Sequence, residues 1–294
     1  MRIFLTGATG FIGSKIIPEL IQAGHAVLGL TRSDAGAKQL VAAGAEVHRG
    51  DLEDPTTLRR GAEKADAVIH CAFDHDFSRV VENCQKDKRN IEAMGEALVG
   101  SKRPLVITSG TGMGSRAPGE LASEDFYDPT HANPRKISEE TGAAVAARGV
   151  NVSYVRLPQV HDTKKQGLIT PLIEISRAKG RVAYVGDGKN RWPAAHVSDV
   201  ARLYKLAIER AEPGARYNAV GEEGVTAKDI SEALGRSLKL PVVSLTGEEV
   251  AAHFGWMAMF ASLDMPASSA ITRKKLSWTP VGPGLIADLD RLEI

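Results

Sequence analysis

Cysteine is scarce: Cys71 and Cys84 are the only two in 294 residues. Two cannot make a disulfide framework, and they lack the spacing of a zinc site. Cys71 lies in an apolar run, Ala67 to Ala72, and reads as a core thiol. An excess of one charge is also missing. The formal net charge is +1, so no strong field draws nucleic acid or an anionic membrane. Aromatic residues are 5% of the chain and do not interleave with basic ones. No apolar run reaches the ~20 residues that span a bilayer, and the N-terminus lacks the apolar stretch of a signal peptide. Repeats and low-complexity tracts are absent. The expectation is a soluble cytoplasmic protein with a small-molecule partner and no resident metal.

What is present is ordinary globular material, 43% apolar and 25% charged, enough for one large domain or a main domain with a smaller lobe. The first half alternates short apolar strands with helices. Strands are expected over 2–6, 26–31, 45–49, 66–70, 103–108 and 150–156. Between them helices are expected over 11–23, 34–43, from Pro55, over 77–99 and over 133–148, with Gly24, Gly44, Gly100 and Gly149 as stops. Strands apolar on both faces and separated by helices predict a doubly wound, Rossmann-like parallel sheet of the α/β class. Beyond Arg156 glycine and proline break the rhythm, a helix returns over 197–210, a strand over 215–220, and Thr226 with Asp229 forms a capping pattern. The division is a dinucleotide-binding domain over 1–158 and a smaller mixed substrate lobe over 159–294, with 197–221 returning to the main sheet.

Directly after the first strand comes Thr6-Gly7-Ala8-Thr9-Gly10-Phe11-Ile12-Gly13. Glycines at 7 and 10 allow a tight turn and close approach to a pyrophosphate, and Gly13 lets the helix pack on the strand. Free N–H groups at the helix start then face the phosphates. The lysine of a nucleotide-triphosphate loop is absent, so phosphate transfer is disfavoured. After the second strand stands Thr31-Arg32-Ser33, where NAD sites commonly have an acid. Arg32 and Ser33 suit a 2′-phosphate and favour NADP. Asp34, turned inward, would instead accept from an NAD ribose. Asp51 can accept from an adenine amine with Leu52 over its face, while Ala72 and Phe73 border the cofactor further along.

These residues resemble the extended short-chain dehydrogenase/reductase family, in particular its NAD(P)-dependent epimerase/dehydratase group. The resemblance continues through Val106 to Thr111, Arg156 to Val160, Trp192 to Ala201, Tyr217 to Gly221 and Lys275 to Pro280. It implies that Ser109 is the substrate-orienting hydroxyl, that Leu157 lies beneath the nicotinamide, and that the long helices form a homodimer. It also implies a tyrosine that moves a proton and, four residues later, a lysine that holds the ribose and lowers the tyrosine pKa. That pair is missing. One register puts His131 and Arg135 in the two places, the other Ala132 and Lys136. A histidine ordinarily titrates near neutrality and can serve as an acid. In the second register Lys136 keeps its role and the donor is absent. His75, Tyr127, His161 and Trp192 are candidate substrate contacts, and Asp162 to Lys165 reads as a mobile polar loop. The reading is an NADP-dependent oxidoreductase acting on a small carbonyl-type or related unsaturated substrate. The alternatives are a nucleotide-sugar epimerase or dehydratase and a non-catalytic NADP-binding regulator.

Overall fold

The computed structural model describes residues 1–293. In chain order its elements are β1 (Arg2–Thr6), α1 (Gly13–Gln22), β2 (Ala26–Thr31), α2 (Asp34–Ala42), β3 (Glu46–Arg49), α3 (Pro55–Glu63), β4 (Ala67–His70), α4 (Val80–Leu98), β5 (Pro104–Gly110), α5 (Ile137–Ala146), β6 (Asn151–Leu157) and β7 (Gln159–His161). There follow α6 (Ile169–Lys179), β8 (Val182–Val185), β9 (Arg191–His196), α7 (Val197–Arg210), β10 (Arg216–Asn218), β11 (Glu222–Thr226), α8 (Ala227–Leu238), β12 (Val242–Leu245), α9 (Glu248–Phe254), α10 (Ala258–Ala261), α11 (Ala270–Leu276) and α12 (Leu285–Leu289).

Seven strands form one parallel sheet in the order β10-β6-β5-β4-β1-β2-β3. A parallel sheet needs helices on both faces, and both are covered. On one face Ile16, Ile17 and Leu20 of α1 meet Leu203, Tyr204 and Ile208 of α7. On the other, Leu58 of α3, Ile91, Met94 and Leu98 of α4 and Val145 of α5 lie against the strands. Each fully buried side chain of this size contributes roughly 1.5–3 kcal/mol. The lobe has its own core, in which Ile173, Trp192, Ile230, Phe254 and Met257 are buried. It holds a sheet in the order β11-β9-β7 and a pair, β12 with β8.

Two of the expected helices open with a 3-10 turn instead of an α-helical one. The segment read as one helix over 77–99 begins with a 3-10 turn at Phe77–Arg79, and α4 proper runs over Val80–Leu98. Likewise Pro134–Lys136 is a 3-10 turn ahead of α5, capped by the Asn133 side chain, which accepts from Arg135 N at 2.9 Å. Proline provides no N–H for the ladder and suits a first turn. Chain order reverses between β1 and β4, so the crevice at their C-terminal ends is where such sheets bind ligands.

Candidate functional site

The turn leaving β1 is packed to the limit of glycine. Gly7 has φ 69°, and a Cβ on it would come within 2.9 Å of Ala72 N at the end of β4. A Cβ on Gly13 would lie 2.1 Å from Gly7 O. Gly13 therefore lets the helix close on the turn itself, rather than on the strand as the sequence suggests. Gly10 N donates to Gly7 O at 2.9 Å, which tightens the turn. Helix α1 starts at Gly13, two residues later than expected, and Ile12 at its cap provides no side-chain acceptor. Among the described residues no main-chain carbonyl accepts from the N–H groups of Phe11, Ile12 and Gly13. Uncapped N–H groups beside a glycine turn, with Thr9 on its rim, can hold a phosphate.

At the ends of β2 and β3, Arg32 is 80% exposed with Nη1 3.9 Å from Asp51 Oδ2. Asp34 faces solvent: its carboxylate pairs with Arg49 Nη2 at 2.5 Å and is 91% exposed. Ser33 caps α2 by accepting from Gly36 N at 3.0 Å, leaving its hydroxyl proton free to donate. Asp51 Oδ1 accepts from Glu53 N at 3.1 Å. The half-buried Leu52 is tied to α4 through its carbonyl, which accepts from Asn90 Nδ2 at 3.1 Å.

A buried polar chain runs from this turn to the start of α5. Thr6 Oγ1, at the end of β1, lies 2.7 Å from His70 Nδ1 and accepts from Ala72 N at 3.2 Å. His70 Nε2 is 2.9 Å from Asp87 Oδ1 on α4. Asp87 Oδ2 accepts from Arg135 Nη1 and from Ser138 Oγ, both at 2.6 Å. Arg135 Nη1 also donates to Ser138 Oγ, and Nη2 donates to Thr108 O at 3.1 Å. The guanidinium lies 3.8 Å over the Phe73 ring. Burial opposes the charge on Asp87, but Arg135, His70 and Ser138 together hold its carboxyl at about 2. Arg135 thus carries a neutralised charge and keeps its Nε–H and one Nη2–H for a further partner.

The other expected site residues are scattered. Lys136 turns to the surface, where Nζ donates to Pro129 O at 2.7 Å and lies 3.5 Å from Glu140. His131 is half-buried, and its Nδ1 accepts from Asn133 N at 3.1 Å. In the neutral ring this leaves the proton on Nε2, where it can be donated in a hydrogen bond. Ser109 Oγ is buried and has no hydrogen-bond partner among the described residues. Tyr127 donates to Lys136 O at 3.4 Å; burial and the neighbouring Glu140 and Glu139 push its phenol up to about 12. His75 is exposed, edge-on to Phe73 at 5.4 Å between ring centroids. Two candidates sit in the lobe interior. His161 is fully buried with Nδ1 2.7 Å from Asp288 Oδ2. Trp192 is buried and donates to Leu263 O at 3.2 Å. Leu157, half-buried at the end of β6, packs against the same core as Phe11 and Cys71. Burial raises the Cys71 thiol to about 11, consistent with a core role. Among the described residues no cluster of three His, Cys, Asp or Glu side chains can hold a metal.

Sequence reasoning missed Thr6, His70, Asp87 and Ser138. A signal was available on α4. Asn83, Lys86, Asp87 and Asn90 recur at helical spacing on the face that also carries Ile91 and Met94, and all four are buried. A polar stripe on a core-facing helix must be satisfied by partners. Lys86 meets Asp74 at 2.9 Å and also pairs with Glu53, tying the loop after β4 to the one after β3.

A doubly wound sheet with an uncapped glycine turn at its switch point defines a dinucleotide-binding class of fold. Residues 3–220 match the sequence model of the NAD dependent epimerase/dehydratase family, and the chain belongs to that family. An uncharacterized protein of Schizosaccharomyces pombe is 45% identical over 290 residues, covering 98% of each chain. The 2-alkyl-3-oxoalkanoate reductase of Stenotrophomonas maltophilia is 29% identical over 228 residues, covering 73% of this chain and 67% of its own. The fold is also that of the Thermus thermophilus UDP-glucose 4-epimerase solved with NAD, with a TM-score of 0.73 at 21% identity over 99% of this chain and 97% of that one. Among the described residues no helix is long and apolar enough to cross a membrane.

Proposed function

We propose that the protein is an NADP-dependent oxidoreductase acting on a small carbonyl-type or related unsaturated substrate. The observation that carries the cofactor choice is the pairing at the ends of β2 and β3. Asp34, the acid that would serve an NAD ribose, is held by Arg49, while Arg32 stays exposed beside the adenine position. An arginine there can make charge-assisted contacts to a 2′-phosphate. The N–H groups of Phe11, Ile12 and Gly13 hold the diphosphate, and Ala72 leaves room beside Gly7. The cofactor, when bound, supplies the hydride. Arg135 holds the ribose with its two unused N–H groups, and His131, once protonated to the imidazolium with its Nδ1 contact to Asn133 N released, donates the proton from Nε2 in the register that pairs it with Arg135. Orientation in a closed cleft then provides much of the rate. The reductase among the relatives supports this reading. A nucleotide-sugar epimerase is disfavoured because that chemistry needs a reversible proton carrier of the tyrosine type.

A second reading, an NADP-binding regulator without catalysis, draws on the closure of Arg135 onto Asp87 and the burial of Ser109. The experiment has two arms. NADPH should bind at least tenfold more tightly than NADH, and Arg32→Ala should erase most of that preference; equal affinities before mutation refute the phosphate clamp. NADPH oxidation screened over aldehydes, ketones, imines and enones separates the enzyme from the regulator. Turnover that survives His131→Phe unchanged removes His131 from the proton step.

A further inference from the structure

We infer that Lys165 is a binding residue for the cofactor diphosphate, closing the phosphate site from the side opposite helix α1. The inference rests on the dinucleotide reading above and adds a contact from the lobe. Sequence alone suggests a mobile loop at 162–165. The structure instead has a pinned turn. His161 bridges Gln166 in antiparallel fashion, Asp162 N donates to Lys165 O at 2.9 Å, and Asp162 Oδ1 accepts from both Lys164 N and Lys165 N at 2.8 Å. Gln166 Nε2 donates to Asp162 O at 2.9 Å. This turn follows β7, whose last residue, His161, is anchored on Asp288.

The two lysines it presents have different surroundings. Lys164 pairs with Glu293 at 3.3 Å. Lys165 has no ion pair among the described residues; its ammonium sits 5.9 Å from the Phe11 ring centroid. Phe11 is the residue whose N–H opens the uncapped start of α1. Partial desolvation of the His75 ring, on the loop after β4, lowers its pKa, and the charges of Arg135 and Lys165 lower it further. Nearby cations are already matched: Arg135 by Asp87 and Lys86 by Asp74 and Glu53. An exposed ammonium on a pinned turn beside the Phe11 ring, with no ion pair among the described residues, fits a dianionic diphosphate held by the N–H groups of the glycine turn. The lobe would thereby close on the cofactor through charge.

The test measures dissociation constants by NADPH fluorescence, and by competition with adenosine 2′-monophosphate, which lacks the diphosphate. Lys165→Ala should weaken NADPH about tenfold, as expected for one partly exposed charge-assisted contact, and flatten the dependence on salt. It should leave adenosine 2′-monophosphate unchanged. Lys165→Arg should restore NADPH binding to within about threefold of wild type, and Lys164→Ala should match wild type. NADPH affinity within twofold of wild type in Lys165→Ala overturns the inference while leaving the dinucleotide reading intact. So does an equal loss for both ligands, which would mark a structural defect. Failure of the wild-type protein to bind either NADPH or NADH overturns the dinucleotide reading itself, and this inference with it.

Discussion

Replacing Asp87 by Asn isolates the buried charge that joins four elements. The side chain is 2% exposed, and its carboxylate meets Arg135, Ser138 and His70. Asparagine keeps the volume and removes the charge, so Arg135, itself 16% exposed, loses its counter-ion. Stripping one partner from a buried pair typically costs about 3–5 kcal/mol, and that loss is expected in urea unfolding monitored by circular dichroism. Asp87→Asn combined with Arg135→Met should be more stable than Asp87→Asn alone, because the uncompensated cation is gone. Acid supplies an independent readout. The carboxyl has its ordinary value of 3.8 in the unfolded chain and about 2 in the folded one. Its contribution is therefore complete above 3.8 and is lost as pH falls through about 2, an effect of about 2 kcal/mol. In Asp87→Asn that part of the acid limb should flatten. A loss below about 1 kcal/mol, or a double variant whose loss equals the sum of the two singles, refutes a coupled buried pair.

Two further predictions concern the turn and the lobe. Gly13→Ala puts a Cβ 2.1 Å from a main-chain oxygen, so it should cost about 1–3 kcal/mol by overpacking and weaken dinucleotide binding. Gly10→Ala, whose Cβ meets only Gly7 O at 3.1 Å, should fold near normally and still weaken binding; equal stability of the two variants in urea refutes the packing argument. His161→Phe should lower the unfolding midpoint and leave the substrate KM unchanged, because His161 is buried on Asp288; a changed KM at unchanged stability restores it to the cleft. Burial, the largest cause, lowers the pKa of His161 despite Asp288. The unfolded chain takes up that proton first, so the wild type should lose stability as pH falls below 6.5 and His161→Phe should lose less.

The sheet was legible because its signals are local. Short runs, mostly apolar, ending at glycine or polar turns give strands, and β1, β2 and α7 fall where the pattern puts them. The capping pair of Thr226 and Asp229 is also read directly, with Thr226 accepting from Asp229 N at 3.1 Å. Starts of helices were less legible. At Phe77 and Pro134 a 3-10 turn and an α-helix share the same apolar spacing, and the choice rests on capping geometry. The polar site was the least legible part. His70, Asp87 and Arg135 are distant in sequence, so only their common burial reveals that they belong together. The same holds for His161 and Trp192, whose strand-end positions suggest a cleft but whose partners, Asp288 and Leu263, come from the far end of the chain.

The paired replacement of tyrosine and lysine has one physical logic in the proposed register. A lysine beside a tyrosine works by an unshared positive charge that lowers the phenol pKa. Here the cation is Arg135, and Asp87 cancels it at 2.6 Å. A phenol beside that neutralised cation would gain little lowering of its pKa from it. A donor at this site gets no help from a neighbouring free cation, and an imidazolium, unlike a phenol, needs none. Asp87 gives the arginine a second duty, since the same carboxylate reaches His70 and through it Thr6 at the head of the glycine turn. In the proposed register, the neutralised cation and the link between the glycine turn and the start of α5 both rest on Asp87, on the polar face of α4.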